Sequence, residues 1–246
     1  MSVDPRQRFN GLAQGYARWR PSYPPALFDW IEKTAGLKPS AAIVDIGCGT
    51  GISTRLWTAR GYRVTGVDPN LDMLAQARVS GPETYVLAAA EATGLPSGAF
   101  DLLSAGQSFH WLDLAKAQVE ASRILKPGGS CCAFWNLRAD TPAMRDYEVL
   151  LRRHSAEYAG LRSGPDTIAA IKRGAHDAFF AEFPNLQKLG LEGFFGRVFS
   201  SSYAALSVAD RPSFEGELEE LFERHQKQGT IDFAYRTAAI LWRPRP

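Results

Sequence analysis

Val44-Asp45-Ile46-Gly47-Cys48-Gly49-Thr50-Gly51 is the stretch on which the fold turns. An apolar run ends in an acid and is followed at once by glycines at every second position. It reads as a buried strand breaking into a tight turn and then a helix, the arrangement with which α/β proteins cradle a nucleotide-like ligand. Outward from it, apolar runs alternate with helical patterns. Strands are predicted over 42–46, 63–67, 84–88, 100–105 and 130–135, and helices over 53–60, 71–79 and 114–124. Lys126-Pro127-Gly128-Gly129 closes the last of these helices. The alternation predicts a doubly wound, mostly parallel sheet with right-handed crossovers.

Upstream, residues 5–35 read as helix broken by Arg20-Pro21-Ser22-Tyr23-Pro24-Pro25, so 1–35 is an expected helical cap. Downstream the rhythm changes. Stretches 141–158 and 166–183 read as two helices joined by Gly160, Gly164 and Pro165, which makes 138–185 a candidate helical lid insertion. Stretch 186–199 is strand-like, 214–228 helical and 230–242 strand-like, an antiparallel closing pair at one sheet edge. With no repeat and no second unit, residues 1–246 are expected to be one domain.

Composition narrows the function classes. An apolar share of 45%, a charged share of 22% and a net charge of +2 describe an ordinary globular chain and give no electrostatic case for nucleic acid or an acidic membrane. The three cysteines form neither a disulfide framework nor a zinc spacing, and no metal role is expected for His154, His176 or His225. No apolar run approaches membrane-spanning length, and the first residues lack a signal-peptide stretch, so a cytoplasmic protein, monomer or homodimer, is expected.

A dinucleotide loop would read Gly-x-Gly-x-x-Gly, whereas this one reads Asp-x-Gly-x-Gly-x-Gly and points to S-adenosylmethionine. That cofactor carries an ammonium, which Asp45 at a strand tip suits, and a carboxylate, which suits a helix N-terminus. Gly47, Gly49 and Gly51 keep the backbone open to a ligand, and Cys48 is a small buried side chain among them. Asp68, at the end of the second strand beside Pro69, is placed to accept from two ribose hydroxyls; as a lone residue it would be a turn acid. Glu91, or an amide beside it in Ala90-Glu91-Ala92, reaches for the adenine edge or is a solvated turn acid.

With Val44–Gly51, Val67-Asp68-Pro69, Ala90–Pro96, Phe100-Asp101-Leu102-Leu103 and Leu125–Gly129 in register, the chain resembles the class I S-adenosylmethionine-dependent methyltransferases, especially the type 11 group. The resemblance is strong over about residues 40–136. It implies a Rossmann-like methyltransferase fold with seven strands, the last antiparallel. Phe9, Tyr16, Arg20–Pro24 and Gln107–Asp113 further resemble the trans-aconitate methyltransferase-like subgroup. That likeness implies that Tyr16 and Arg20 cap the cofactor, Arg20 near its methionine carboxylate. Met73 belongs to the same implied pocket.

Ligands of open α/β sheets sit beyond the carboxyl ends of the strands, where Gly106–Asp113 and Asn136–Arg138 fall. Gln107 and Phe109 are candidate cofactor contacts. His110 is the base candidate, with packing against Trp111 as its plainer reading. Trp111, Trp135, Asn136 and Arg138 are candidate acceptor contacts, Arg138 for an anion. The expected activity is methylation of a small-molecule acceptor, with a carboxylate or hydroxyl oxygen preferred by resemblance. A nicotinamide-dependent oxidoreductase and a non-catalytic S-adenosylmethionine-binding protein are the alternatives.

Overall fold

The computed structural model describes residues 11–81, 83–158, 164–175 and 177–244. Phe9, Gly160 and His176 lie outside them. Two helices come first, α1 (Ala13–Trp19) and α2 (Pro25–Ala35). Pro25 opens α2 because a first helical position needs no N–H, and Gly36 closes it in the left-handed region. Then β1 (Ala42–Ile46), α3 (Ile52–Ala59), β2 (Arg63–Asp68), α4 (Leu71–Ser80), β3 (Thr84–Leu87), β4 (Phe100–Gly106), α5 (Leu114–Ile124) and β5 (Leu125–Arg138) follow. A single 3-10 turn, Phe109–Trp111, interrupts the connection after β4.

The sheet has seven strands in the order β3-β2-β1-β4-β5-β7-β6, where β6 is Phe179–Leu189 and β7 is Ile231–Trp242. All neighbours pair parallel except those of β7, which runs antiparallel to both β5 and β6. The strand order reverses between β1 and β4, which opens a crevice at their carboxyl ends. Strand alternation splits the core in two. Val44, Ala133, Trp135 and Trp242 pack on one face of the sheet, while Ile43, Cys132, Phe134 and Leu241 join Phe28 and Trp57 on the other. Cys131 and Cys132, adjacent in β5, are thus buried on opposite faces.

Three expectations need correction. The stretch 166–183 is not one helix: α7 (Gly164–Gly174) ends and β6 begins at Phe179. In β6 the even-numbered residues from Phe180 to Lys188 are exposed and the odd ones are covered, the period of an edge strand, so 179–185 belongs to the sheet and not to an insertion. The stretch 186–199 is half strand and half helix, because α8 (Leu191–Phe199) buries Phe194, Arg197 and Val198 at helical spacing. Its Gly193 and Gly196 hid the helix from the sequence. They are small because Trp19 of α1 lies on them: a Cβ on Gly196 would come within 2.4 Å of the indole. Finally, Lys126–Gly129 is not a free turn. β5 runs through it with a bulge, Phe100 pairing with Leu125 and Leu102 already with Ser130.

Helices α6 (Pro142–His154), α8 and α10 (Arg211–His225), with the first half of β7, enclose a further apolar cluster around Tyr147, Phe194, Phe214 and Phe233. A short α9 (Ser202–Leu206) follows α8. Among the described residues no helix is long and apolar enough to cross a membrane.

Candidate active site

Two adjoining cavities open beyond the carboxyl ends of β1, β2, β4 and β5. The first, of about 460 Å³, is walled by the glycine loop, by Asp68 to Met73, by the stretch 89–91 and by residues 106–108 and 111–113. The glycine loop exists where it does because of two glycines. Gly47 has φ +63°, and a Cβ there would lie 2.4 Å from the Ser108 Cβ. This close approach lets Ser108 donate from Oγ to the Ile46 carbonyl at 2.7 Å and seals the loop to the segment after β4. Gly49, φ +55°, has nothing within 4 Å of the position its Cβ would take and lines the cavity.

Asp68 is 8% exposed and joins the two sides of this cradle. Its Oδ2 accepts from the Gly49 amide at 2.9 Å and its Oδ1 from the Asn70 amide at 2.8 Å. Burial pushes its carboxyl up, against those amides. Asn70 in turn caps α4 by accepting from the Met73 amide at 3.0 Å. The wall at 89–91 is pinned through its neighbour. Thr93 donates from N and Oγ1 to Glu120 Oε1 of α5, at 2.8 and 2.5 Å, and Glu91 accepts from the Asp113 amide at 3.0 Å. Gln107 holds φ +59°, a conformation that L side chains avoid, and accepts from the Asn136 amide at 3.0 Å.

Asp45 is fully buried beneath the cradle. Its Oδ2 accepts from Ser53 Oγ and Thr54 Oγ1, both at 2.7 Å, tying β1 to the first turn of α3. Its Oδ1 has no hydrogen-bond partner, and burial pushes the carboxyl up to about 6. Asp45, Cys48, Gly51, Ala92 and Phe109 do not line the first cavity; they brace its wall from behind. Phe109 packs edge-on against Trp242, and a Cβ on Gly51 would meet the Tyr85 hydroxyl at 2.4 Å. Tyr16, Gly47, Gly49, Asp68, Pro69, Met73, Ala90, Glu91 and Gln107 do line it. Sequence reasoning missed Asn70, Ser108, Leu112, Asp113 and Lys116 as lining residues. The acid-Pro-Asn start of α4 was the available signal for Asn70.

The second cavity, about 520 Å³, shares Tyr16, Gln107 and Trp111 with the first. It gathers His110, Trp135, Asn136 and Arg138, all singled out from sequence, and it also holds Arg20, which sequence had assigned to the cofactor side. Tyr158, Arg197 and Tyr203 complete it and were not foreseen. His110 is a poor base here. Trp135 Nε1 donates to its Nδ1 at 3.1 Å, so the neutral ring carries its proton on Nε2. Asn136 has its amide committed: Nδ2 donates to the Ser22 carbonyl at 3.2 Å, and Oδ1 accepts from Thr237 at 2.6 Å and Asn185 at 3.1 Å. Arg138 bonds Glu148 and the Tyr158 hydroxyl and reaches the Tyr203 hydroxyl at 3.3 Å.

These features fit S-adenosylmethionine: a cradle a Cβ would fill and an acid at the tip of the second strand, lining the cavity. Among the described residues no group of three or more His, Cys, Asp or Glu could hold a metal.

The fold is that of the Rossmann-like methyltransferases. Residues 44–133 match the family model described as a methyltransferase domain. An uncharacterized methyltransferase of Mycobacterium bovis is 39% identical over 131 residues, 53% of this chain and 52% of that protein. The chain therefore spans about half the length of the curated relatives it matches first. A malonyl-[acyl-carrier protein] O-methyltransferase of Enterobacter lignolyticus is 41% identical over 108 residues, 43% of each chain. The solved structure of a candidate type II methyltransferase from Anaeromyxobacter dehalogenans superposes with a TM-score of 0.68 at 25% identity, over 92% of this chain and 99% of that one. Residues 44–133 thus match a methyltransferase domain, set in a Rossmann-like methyltransferase fold.

Proposed function

We propose that the whole chain methylates an oxygen, carboxylate or hydroxyl, of a small acceptor held in the second cavity. The observation that carries this reading is that the two cavities adjoin and share Tyr16, Gln107 and Trp111. Asp68, Asn70, Met73 and the stretch 89–91 would hold the cofactor, Asp68 by accepting from ribose hydroxyls. Bound there, the cofactor would supply a methyl on a cationic sulfonium, the C–S pair remaining on sulfur as the new O–C bond formed; a hydroxyl acceptor would also have to give up its proton, which a carboxylate would not.

The work left to the protein is alignment and exclusion of water. Gln107, locked by Asn136 and by its strained backbone, fixes the seam between the cavities. Helices α6 and α7 act as the lid: Glu148 and Arg152 of α6, Tyr158 beyond it and Gly164 of α7 line the second cavity. A carboxylate acceptor is favoured over a hydroxyl because His110 is committed at Nδ1 and a carboxylate needs no base. The partial match to the malonyl-[acyl-carrier protein] O-methyltransferase, together with the Tyr16 and Arg20 segment, supports oxygen methylation.

The test is incubation with methyl-labelled cofactor and a metabolite panel, reading label in organic-soluble ester or ether products. Label transferred to an organic acid supports the reading. Tight S-adenosylhomocysteine binding with no transfer to any acceptor would instead mark a binding protein, and a thermal shift with nicotinamide nucleotides alone would mark an oxidoreductase.

A further inference from the structure

Four guanidinium groups, of Arg20, Arg138, Arg152 and Arg197, face the second cavity against two carboxylates, Glu148 and Asp166. Glu148 is shared by Arg138 at 2.5 Å and Arg152 at 2.9 Å. Asp166 sits exposed in the first turn of α7. Arg197 has no such neutralisation. It is 4% exposed, donating from Nε to the Tyr235 hydroxyl at 2.6 Å and from Nη1 to Ser201 Oγ at 2.9 Å, and lies over the Phe233 ring. Among the described residues no carboxylate pairs with Arg197 or with Arg20, whose buried Nε has no hydrogen-bond partner. A buried charge that is not paired is costly, and a pocket-facing one is the signature of a missing counter-ion.

We propose that Arg197, assisted by Arg20, is the specificity-determining anchor for an anionic group of the acceptor, a carboxylate or a phosphate, distinct from the oxygen that is methylated. The inference rests on the methyltransferase reading above. Arg138, the sequence candidate for this task, is instead neutralised by Glu148 and braces the cavity wall. The anchored group is not the reacting one for an electrostatic reason. Attack of an oxyanion on a sulfonium discharges both charges in the transition state. A guanidinium pair on the reacting carboxylate would therefore stabilise the ground state more than the transition state and slow the step. A second, permanently charged group on the acceptor takes up the positive field without that penalty. The acceptor is thus at least bifunctional.

The field also has a built-in reporter. Burial pushes the Tyr203 phenol up, but Arg138, Arg197 and Arg20 outweigh it and hold it down at about 8. Tyr147 and Tyr158, whose own phenols burial pushes up, face it as well, and Glu148 accepts from the Tyr158 hydroxyl. An anion beside Arg197 offsets part of the guanidinium field, so it moves the phenol back up.

The experiment uses the full-length chain saturated with S-adenosylhomocysteine, titrated calorimetrically with succinate, inorganic phosphate and uncharged dimethyl succinate, while phenolate absorbance is followed against pH. Succinate or phosphate should bind about 10–100-fold tighter than the diester, the range for one charge-assisted pair, and should raise the pH at which phenolate forms. The succinate and phosphate arms show which anion the site prefers. Tyr203→Phe should remove the absorbance change, which assigns it. Arg197→Gln should erase the preference for charge while leaving S-adenosylhomocysteine affinity unchanged. Should that variant not fold, the wild-type comparison of succinate and phosphate with the diester decides alone. Equal binding of charged and uncharged probes, with S-adenosylhomocysteine still bound, overturns the anchor. Failure to bind S-adenosylhomocysteine overturns the underlying reading instead.

Discussion

Replacing Gly47 by Ala tests the seam on which the first cavity depends. Two separable costs are expected. The residue sits at φ +63°, where an L side chain costs about 1–2 kcal/mol. Its new Cβ would also meet Ser108 Cβ at 2.4 Å and Oγ at 2.8 Å, a backbone-fixed clash in the range of about 1–3 kcal/mol for overpacking. The variant should therefore lose about 2–5 kcal/mol in urea unfolding and bind S-adenosylhomocysteine more weakly, because segment 106–113 is pushed off the loop. Ser108→Gly alone forfeits the bond to the Ile46 carbonyl and costs about 1–2 kcal/mol with the glycine entropy. In the double variant the clash is gone, while the backbone strain and the loss at Ser108 remain. The cycle should show a favourable coupling of about 1–3 kcal/mol. Additivity within about 0.5 kcal/mol would refute the close approach of the two segments.

Further outcomes follow from the same geometry. Asp68→Ala removes the acceptor of the Gly49 and Asn70 amides and the ribose partner, and should weaken S-adenosylhomocysteine binding by at least about tenfold per charged hydrogen bond lost; unchanged calorimetric affinity removes that assignment. Glu120 gives a pH signature: Arg123, with Thr93, outweighs its burial and holds the carboxyl at about 2, down from 4.5. A depressed acid stabilises the fold above its unfolded value and loses that contribution as pH falls, so about 3 kcal/mol should disappear between about pH 5 and 2 in the wild type and not in Glu120→Gln. Gly196→Ala drives a Cβ to 2.4 Å from Trp19 inside the α1–α8 contact and should lower the thermal midpoint, by an amount that Trp19→Ala largely relieves.

The parts legible in the sequence were those written in local periodicity. Strands of the parallel half announce themselves as short apolar runs, and Gly47, Gly49 and Asp68 carry their own turn chemistry. The second half was less legible because its residues answer to distant partners. Gly193 and Gly196 look like helix breakers until Trp19, far upstream, is seen lying on them. The edge strand β6 shows an alternation that its phenylalanines and Pro184 blur. Asn136 looks like a ligand because nothing in its neighbourhood reveals Ser22, Asn185 and Thr237. Arg197 stays hidden as long as 186–199 reads as strand, because only the helical spacing of α8 sets it with Phe194 and Val198 on one buried face.

Calorimetric titration of the full-length chain with S-adenosylhomocysteine, beside a parallel titration with a reduced nicotinamide dinucleotide, tests the central claim most directly. Saturable one-site binding of S-adenosylhomocysteine and none of the dinucleotide is the predicted result. No heat with S-adenosylhomocysteine, or a preference for the dinucleotide, would contradict the assignment of the cavity beneath Gly47, Gly49 and Asp68 to a methyl donor.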